Sequence, residues 1–243
     1  MLECVSVANM RLSDRNTIEK SVSGIELISR AATAVFNAVD WYGKIAILVG
    51  GGNNGADGYA LARILKQQCF DVTVYFVSKN LHSDCLYYCE LAISEGVLIL
   101  DYVPGDIEKG HYDIVVDCML GTGFNGELRP RYVQAIQDIN RAKAYVVSVD
   151  INSGMDGDTG EGEYIVCSDL TVAIEFIKKG QITKRAEQFI KRLIYVPIGI
   201  ELAYEEYKIC TSEEWESFRV SDNTYICDNG ITYFKCPRWL ETV

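Results

Sequence analysis

Proline and histidine are scarce in this sequence: four prolines and two histidines in 243 residues. The histidines, His82 and His111, have no zinc-ligand spacing with any cysteine, and there is no CxxC pair. That argues against a structural zinc site. Nine cysteines, an odd number scattered from Cys4 to Cys236, do not make a disulfide framework. They read as reduced thiols of a cytoplasmic protein. No apolar run approaches the roughly 18 residues of a membrane span. The opening MLECVSVANMRLSDRN has neither an apolar h-region nor a small-residue cleavage site, so no secretory leader is expected. Positive charge is in deficit too: 23 Lys+Arg against 34 Asp+Glu leave a formal net charge of -11. Nucleic acid and anionic membranes would be repelled on average, and neither is expected as a partner. The basic stretch from Lys178-Lys179 through Lys184-Arg185 to Lys191-Arg192 alternates with apolar residues and reads as a solvated helix face.

What is present is an alternation. Ile18, Val22, Ile25, Ile28, Ala31 and Val35 recur at helical spacing over residues 13–38, with Gly24 dividing two helices. A continuous apolar run at 44–50 then stops at glycines, as a strand buried on both faces does. A helix over 57–68 follows, then a strand at 71–78, a helix at 84–95 and a short strand at 97–101. Next come a strand at 112–117, a helix at 131–141 and a strand at 144–150. Two last strands, 170–174 and 193–198, flank the basic helix. Such alternation predicts βαβ units: an α/β, doubly wound, Rossmann-like three-layer sandwich around a mostly parallel sheet. Residues 1–200 are expected to form this domain. Residues 201–243 lose the strand rhythm and are expected as a C-terminal extension packed on the same domain; a hairpin is one arrangement open to them.

Residues 50–58, GGGNNGADG, hold five glycines and two asparagines. Three readings compete for them. A dinucleotide turn would use the glycines to bring backbone N–H groups close to a pyrophosphate. It also wants an acid at the end of the second strand, where the sequence has Val77-Ser78-Lys79-Asn80. A P-loop would need Gly-Lys-Ser/Thr, which is lacking, and that reading is rejected. A plain strand-to-helix connection, with Asp57 as the helix N-cap, leaves the glycine excess unexplained.

Two further loops sharpen the choice. The strand at 112–117 runs into Asp117-CMLGTGFNG-Glu127, and the strand at 144–150 into Asp150-INSGMDGDT-Gly160. In a doubly wound sheet ligands bind outside the carboxyl ends of the strands, where the strand order reverses. If the first and fourth of these strands are neighbours, all three loops meet at that crevice. Asn54, Asp117, Asp150 and Ser153 supply hard oxygens there, which suit an alkali or alkaline-earth ion. The acids at 156–163 lack EF-hand spacing and read as a solvated loop.

With these three motifs in order, the sequence resembles the YjeF N-terminal domain family, the NAD(P)H-hydrate epimerases. The motifs are Gly50-GGNNGAD-Gly58, Asp117-CMLGTGFN-Gly126 and Asp150-INS-Gly154, and residues 9–32 look like the family's leading helices. The resemblance covers about residues 8–200 and carries no sign of the kinase-like dehydratase domain fused to many members. It implies an isomerase that interconverts the R and S forms of hydrated NADH and NADPH (NADHX and NADPHX). It implies that Asn53, Asn54, Gly55, Ala56 and Asp57 hold the nucleotide, with Gly121, Thr122, Gly123, Phe124, Asn125, Gly126 and Glu127. Asn54, Asp117 and Ser153 would coordinate a potassium ion. Asp150 would contact the substrate as the catalytic acid/base, and a homodimer is implied. Three positions depart from the family pattern: Gly51 and Asn152 stand where proline is usual, and Ala56 stands where glycine is usual. Ala56 is tolerable only with negative φ.

Other readings stay open. Decapping-enhancer relatives use this fold as a non-catalytic nucleotide- or RNA-binding dimerisation module, with eroded loops. Retention of Asn54, Asp117, Asp150 and Ser153 favours the enzyme. The bare end of the second strand speaks against an ordinary NAD-dependent oxidoreductase.

Overall fold

The computed structural model describes residues 1–20, 22–124, 126–218 and 225–241. Its elements run β1 (Leu2–Val5), α1 (Val7–Lys20), α2 (Gly24–Ala38), β2 (Lys44–Val49), α3 (Asn53–Gln67), β3 (Asp71–Phe76), α4 (Ser83–Ser94) and β4 (Leu98–Asp101). Then follow α5 (Asp106–Gly110), β5 (Ile114–Cys118), α6 (Pro130–Arg141), β6 (Tyr145–Val149), β7 (Leu170–Ile174), β8 (Ile177–Lys178) and β9 (Leu193–Val196). The chain closes with β10 (Tyr207–Cys210), α7 (Ser212–Ser217), β11 (Tyr225–Asp228) and β12 (Ile231–Lys235).

The main sheet has seven strands in the order β4-β3-β2-β5-β6-β7-β9, and every pair is parallel. Side chains on a strand alternate between faces, and both faces here are apolar. Ile45, Ile47 and Val49 of β2 pack with Leu27, Ala31 and Val35 of α2 and Leu61 and Leu65 of α3. Ala46 and Leu48 face the other way, toward Ala135, Ile136 and Ile139 of α6. The result is the expected three-layer, doubly wound fold. Ser23 starts α2 by accepting a hydrogen bond from the Glu26 N–H at 3.2 Å. Gly58 lets α3 lie close to the sheet: a Cβ there would stand 2.7 Å from Cys118 Cβ and from Val49 Cγ1.

A second sheet, in the order β11-β12-β10-β1-β8, joins the two ends of the chain. Leu2 pairs with Ile209 antiparallel, and Cys4 pairs with Ile177 in parallel. This sheet continues into α1, which starts at Val7 and not at Ser13. Its first turn is capped from afar, the Val7 N–H donating to Asp158 Oδ1 at 2.8 Å. The early start escapes hydrophobic periodicity because the buried stripe of α1 is polar: Asn9, Ser13 and Thr17. These three residues, four apart, bind the segment 201–204. Asn9 Nδ2 donates to the Tyr204 carbonyl at 2.8 Å, and Ser13 Oγ accepts from the Ala203 N–H at 2.9 Å. Thr17 Oγ1 accepts from the Glu201 N–H at 3.1 Å.

Two expectations fail. Residues 178–192 form no helix; they contain two short 3-10 turns, Lys179–Ile182 and Ala186–Gln188. Lys184, Lys191 and Arg192 are exposed as expected, but Lys178 is fully buried. Asp57 does not start α3. The helix begins at Asn53 with Gly52 as N-cap, so Asp57 sits inside its second turn. The tail does contain an antiparallel pair, β11 with β12. Among the described residues no helix is long and apolar enough to cross a membrane.

Candidate active site

The strand order reverses between β2 and β5, which are parallel neighbours with Ile45 opposite Ile114. A cavity of about 500 Å³ opens outside the carboxyl ends of these strands, and α1, α2 and the Ile198–Ile200 segment form its outer walls. Three loops form its floor.

The first loop leaves β2 with almost no room for side chains. A Cβ on Gly50 would stand 1.9 Å from the Met119 carbonyl oxygen, and one on Gly51 1.9 Å from the Asn80 carbonyl oxygen. The second contact accounts for glycine at 51: the loop after β3 folds over this position, where a proline ring would collide. Gly52 begins α3 without a side-chain cap. Asn53, Asn54 and Asp57 then line the cavity. Gly55 and Ala56 lie buried behind them. Ala56 is not among the residues with positive φ, so its methyl group meets no backbone strain.

The second loop begins at Asp117, fully buried at the end of β5. One carboxylate oxygen accepts from Met119 N–H and Ser153 Oγ; the other accepts from Ser148 Oγ at 3.1 Å and the Ser153 N–H at 2.8 Å. Burial pushes this carboxyl up, and those donors hold it back. Asn54 meets the same loop, its Nδ2 donating to the Leu120 carbonyl at 2.9 Å. The Leu120 N–H in turn donates to Ser153 Oγ at 2.9 Å. Asn54, Asp117 and Ser153 thus gather around one stretch of backbone. Asn54 Oδ1 is buried there with no hydrogen-bond partner, an open acceptor of the kind a bound cation satisfies. Among the described residues no group of three or more His, Cys, Asp and Glu is placed to hold a metal. The oxygen set suits a hard cation alone.

The third loop turns at Asp150, which has a φ of 67°. Gln181 Nε2 donates to its carbonyl at 2.8 Å, and its N–H donates to the Val172 carbonyl at 2.8 Å. Lys178 Nζ bonds Asp150 Oδ1 from below and donates to the Ile174 carbonyl at 2.9 Å. Asp150 lines the cavity, and a Cβ on Gly121 would stand 3.5 Å from its Oδ2 and 3.3 Å from Asn54 Cβ. Asn152 fills the place of the usual proline with a fully buried network. Its Nδ2 donates to the Val166 carbonyl at 2.8 Å and Ser168 Oγ at 3.0 Å, and its Oδ1 accepts from Thr171 Oγ1 at 2.7 Å.

Four carboxyls share the cavity: Asp14, Asp57, Asp84 and Asp150. Burial, then the charges of Asp150 and Asp14, pushes the Asp57 carboxyl well above the usual range, against the pull of Lys178. Asp14 is raised too, by burial and then by Asp150.

Of the residues expected from sequence, Asn53, Asn54, Asp57, Gly121, Thr122, Gly123, Phe124 and Asp150 line this one cavity. Asp117 and Ser153 lie beneath its floor. Gly55 and Ala56 back it, and Gly126 and Glu127 stand outside its lining. Asn125 lies outside the described residues. Sequence reasoning missed Lys178, Gln181, Arg11 and Asp14. The last two stand in a helix whose start was misplaced. Lys178 looked like one of many basic residues on a surface.

Comparison with known proteins gives the family and the fold. The family model described as YjeF-related protein N-terminus matches residues 24–180. The bifunctional NAD(P)H-hydrate repair enzyme Nnr of Archaeoglobus fulgidus is 34% identical, over 84% of this chain and 43% of its own length. The chain thus spans under half of that relative. The NAD(P)H-hydrate epimerase of Anaerococcus prevotii is 34% identical, over 81% of this chain and 94% of its own. That of Limosilactobacillus fermentum is 30% identical, over 79% and 95%. Among solved structures, yeast ynu0 superposes with a TM-score of 0.70 at 17% identity, covering 84% of this chain and 95% of its own. The chain belongs to the YjeF-related N-terminal domain family.

Proposed function

We propose that this chain is an NAD(P)H-hydrate epimerase, an isomerase that interconverts the R and S forms of hydrated NADH and NADPH. One observation carries the reading. Asp150, directly after β6, lines the cavity at the switch point, with one carboxylate oxygen held by buried Lys178. The names of the two epimerase relatives whose length the chain nearly spans support it.

The chemistry asks little of the protein. The hydrate carries its hydroxyl on the ring carbon next to the ring nitrogen. The nitrogen lone pair helps expel that hydroxyl once an acid protonates it, and water returns to the other face. Such a reaction needs a positioned proton carrier in a preorganised polar pocket. Asp150 is that carrier, and Lys178 holds its orientation. Asp57, which lines the same cavity, is pushed up by burial and by its acidic neighbours, so it holds a proton more readily than an ordinary carboxyl. Neighbouring carboxyls whose environments differ in this way divide acid and base roles between them.

A potassium ion fits the oxygen set of Asn54, Asp117 and Ser153, with the orphaned Asn54 Oδ1 as the open acceptor. When bound it supplies a fixed positive charge beside the nucleotide. We assign the reaction to residues 1–200, with 201–243 as an extension that fastens α1.

The test is direct. Purified protein is mixed with the R and S hydrates of NADH, and their interconversion is followed by chromatography. Acceleration over the spontaneous rate is expected; none would overturn the assignment.

A further inference from the structure

The cavity wall supplied by α1 carries a charge that the proposed chemistry does not use. One face of the helix, Met10, Arg11, Asp14 and Ile18, lines the cavity, beside the polar stripe that fastens it. The acids on the lining are Asp14, Asp57, Asp84 and Asp150. Lys178 is engaged by Asp150 and the Ile174 carbonyl and is fully buried. Arg11 is therefore the one permanently charged cation on the wall among the described residues.

Arg11 is also underused. Its Nη2 donates to the Thr122 carbonyl at 3.0 Å, and among the described residues it makes no other hydrogen bond and no ion pair. A guanidinium has five N–H donors in a planar fork that matches two oxygens of a phosphate. Its partner Thr122 belongs to the loop that lines the cavity, so the guanidinium stands where α1 meets that loop. A nucleotide diphosphate entering a pocket lined by four acidic side chains is repelled by them, and Arg11 is the cation on the lining that offsets this repulsion.

We propose that Arg11 is the phosphate-binding residue of this nucleotide site, a specificity determinant that accepts the diphosphate and rejects neutral nucleosides. The proposal rests on the nucleotide part of the reading above and not on the epimerisation itself. In holding the phosphate, Arg11 also keeps α1 against the loop at Thr122. The bland alternative is that Arg11 merely latches α1 to the carbonyl of Thr122.

The two are separated by Arg11→Gln. Glutamine keeps a neutral N–H for the Thr122 carbonyl and loses the charge; Arg11→Lys keeps a charge and loses the fork. Calorimetry on the full chain with ADP-ribose, which has the diphosphate and lacks the hydrated ring, and with adenosine, which has neither, reads the result. We expect Arg11→Gln to weaken ADP-ribose about tenfold or more and to flatten its salt dependence, with adenosine unchanged. Arg11→Lys should recover part of the loss. Equal ADP-ribose affinity in Arg11→Gln and the parent, equal loss for both probes, or no ADP-ribose binding by the parent would each overturn the proposal. A parent that binds ADP-ribose through Arg11 yet does not interconvert the hydrates would overturn the epimerase reading alone.

Discussion

Lys178 holds Asp150 from beneath: a lysine with no exposed surface bonds the carboxylate of a residue that is 16% exposed and faces the cavity. A buried ion pair is held together by the cost of breaking it. Removing one partner strands the other charge and costs about 3–5 kcal/mol. Lys178→Met should therefore lower the urea midpoint severely, and Lys178→Met with Asp150→Asn should unfold later than Lys178→Met alone. Additive losses in that cycle would remove the coupling.

Asp150→Asn keeps the shape of the side chain and removes its proton transfer. General acid–base groups contribute about 100- to 10,000-fold in rate. The expected outcome is a kcat loss in that range for hydrate interconversion, with KM moving far less. Unchanged turnover would take the acid/base role from Asp150.

Asp57 makes stability depend on pH. Its folded carboxyl lies well above the usual range because of burial and of Asp150 and Asp14, while the unfolded value is about 3.9. The folded chain then binds the proton more tightly than the unfolded one. The group favours folding where it is protonated and opposes it as pH rises past about 4 toward its raised value. Asp57→Asn should gain thermal stability over the parent at about pH 8 and little or none at about pH 4. A difference independent of pH would mean Asp57 does not titrate as its surroundings dictate.

Potassium should stabilise the folded chain by mass action, by about 2.7 kcal/mol at a hundred times its dissociation constant. Melting in potassium chloride is compared with choline chloride at equal ionic strength. The rise should vanish in Asn54→Ala, which removes the open acceptor. A rise that survives that substitution would place the cation elsewhere.

Asn152→Pro restores the residue usual in the family and should still harm this chain. It removes the amide that bonds the Val166 carbonyl, Ser168 Oγ and Thr171 Oγ1; the two hydroxyls keep each other at 2.7 Å, so the Val166 carbonyl is the buried group left without its donor, at a cost of about 1–3 kcal/mol. Calorimetric melting measures it; a neutral result would mean water replaces the amide.

The main sheet was legible because strands such as β2 are continuous apolar runs, ended in β2 by glycine, and because α2 and α6 bury one apolar face. The floor of the site was legible because its polar residues follow directly on strand ends. The walls were not. α1 buries a polar stripe, Asn9, Ser13 and Thr17, so hydrophobic periodicity begins too late along it. Lys178 becomes a site residue only through the fold: β8 runs beside β1, with Val5 opposite Lys178. No spacing in the chain joins it to Asp150, 28 positions earlier.

The fastening of α1 to the segment after Ile200 sets an order on synthesis. Asn9 and Tyr204 are 195 residues apart. At ribosomal rates of about 5–20 residues per second, that separation is about 10–40 s of translation. Six of the seven parallel strands, β2 to β7, end by Ile174 and can associate in that interval, while the first helix waits without its anchor and the cavity stays open on one side. A nascent chain stalled before Glu201 would then present a finished floor and an unfinished wall. Such a species should be the one that proteases cut near the N-terminus and that chaperones hold.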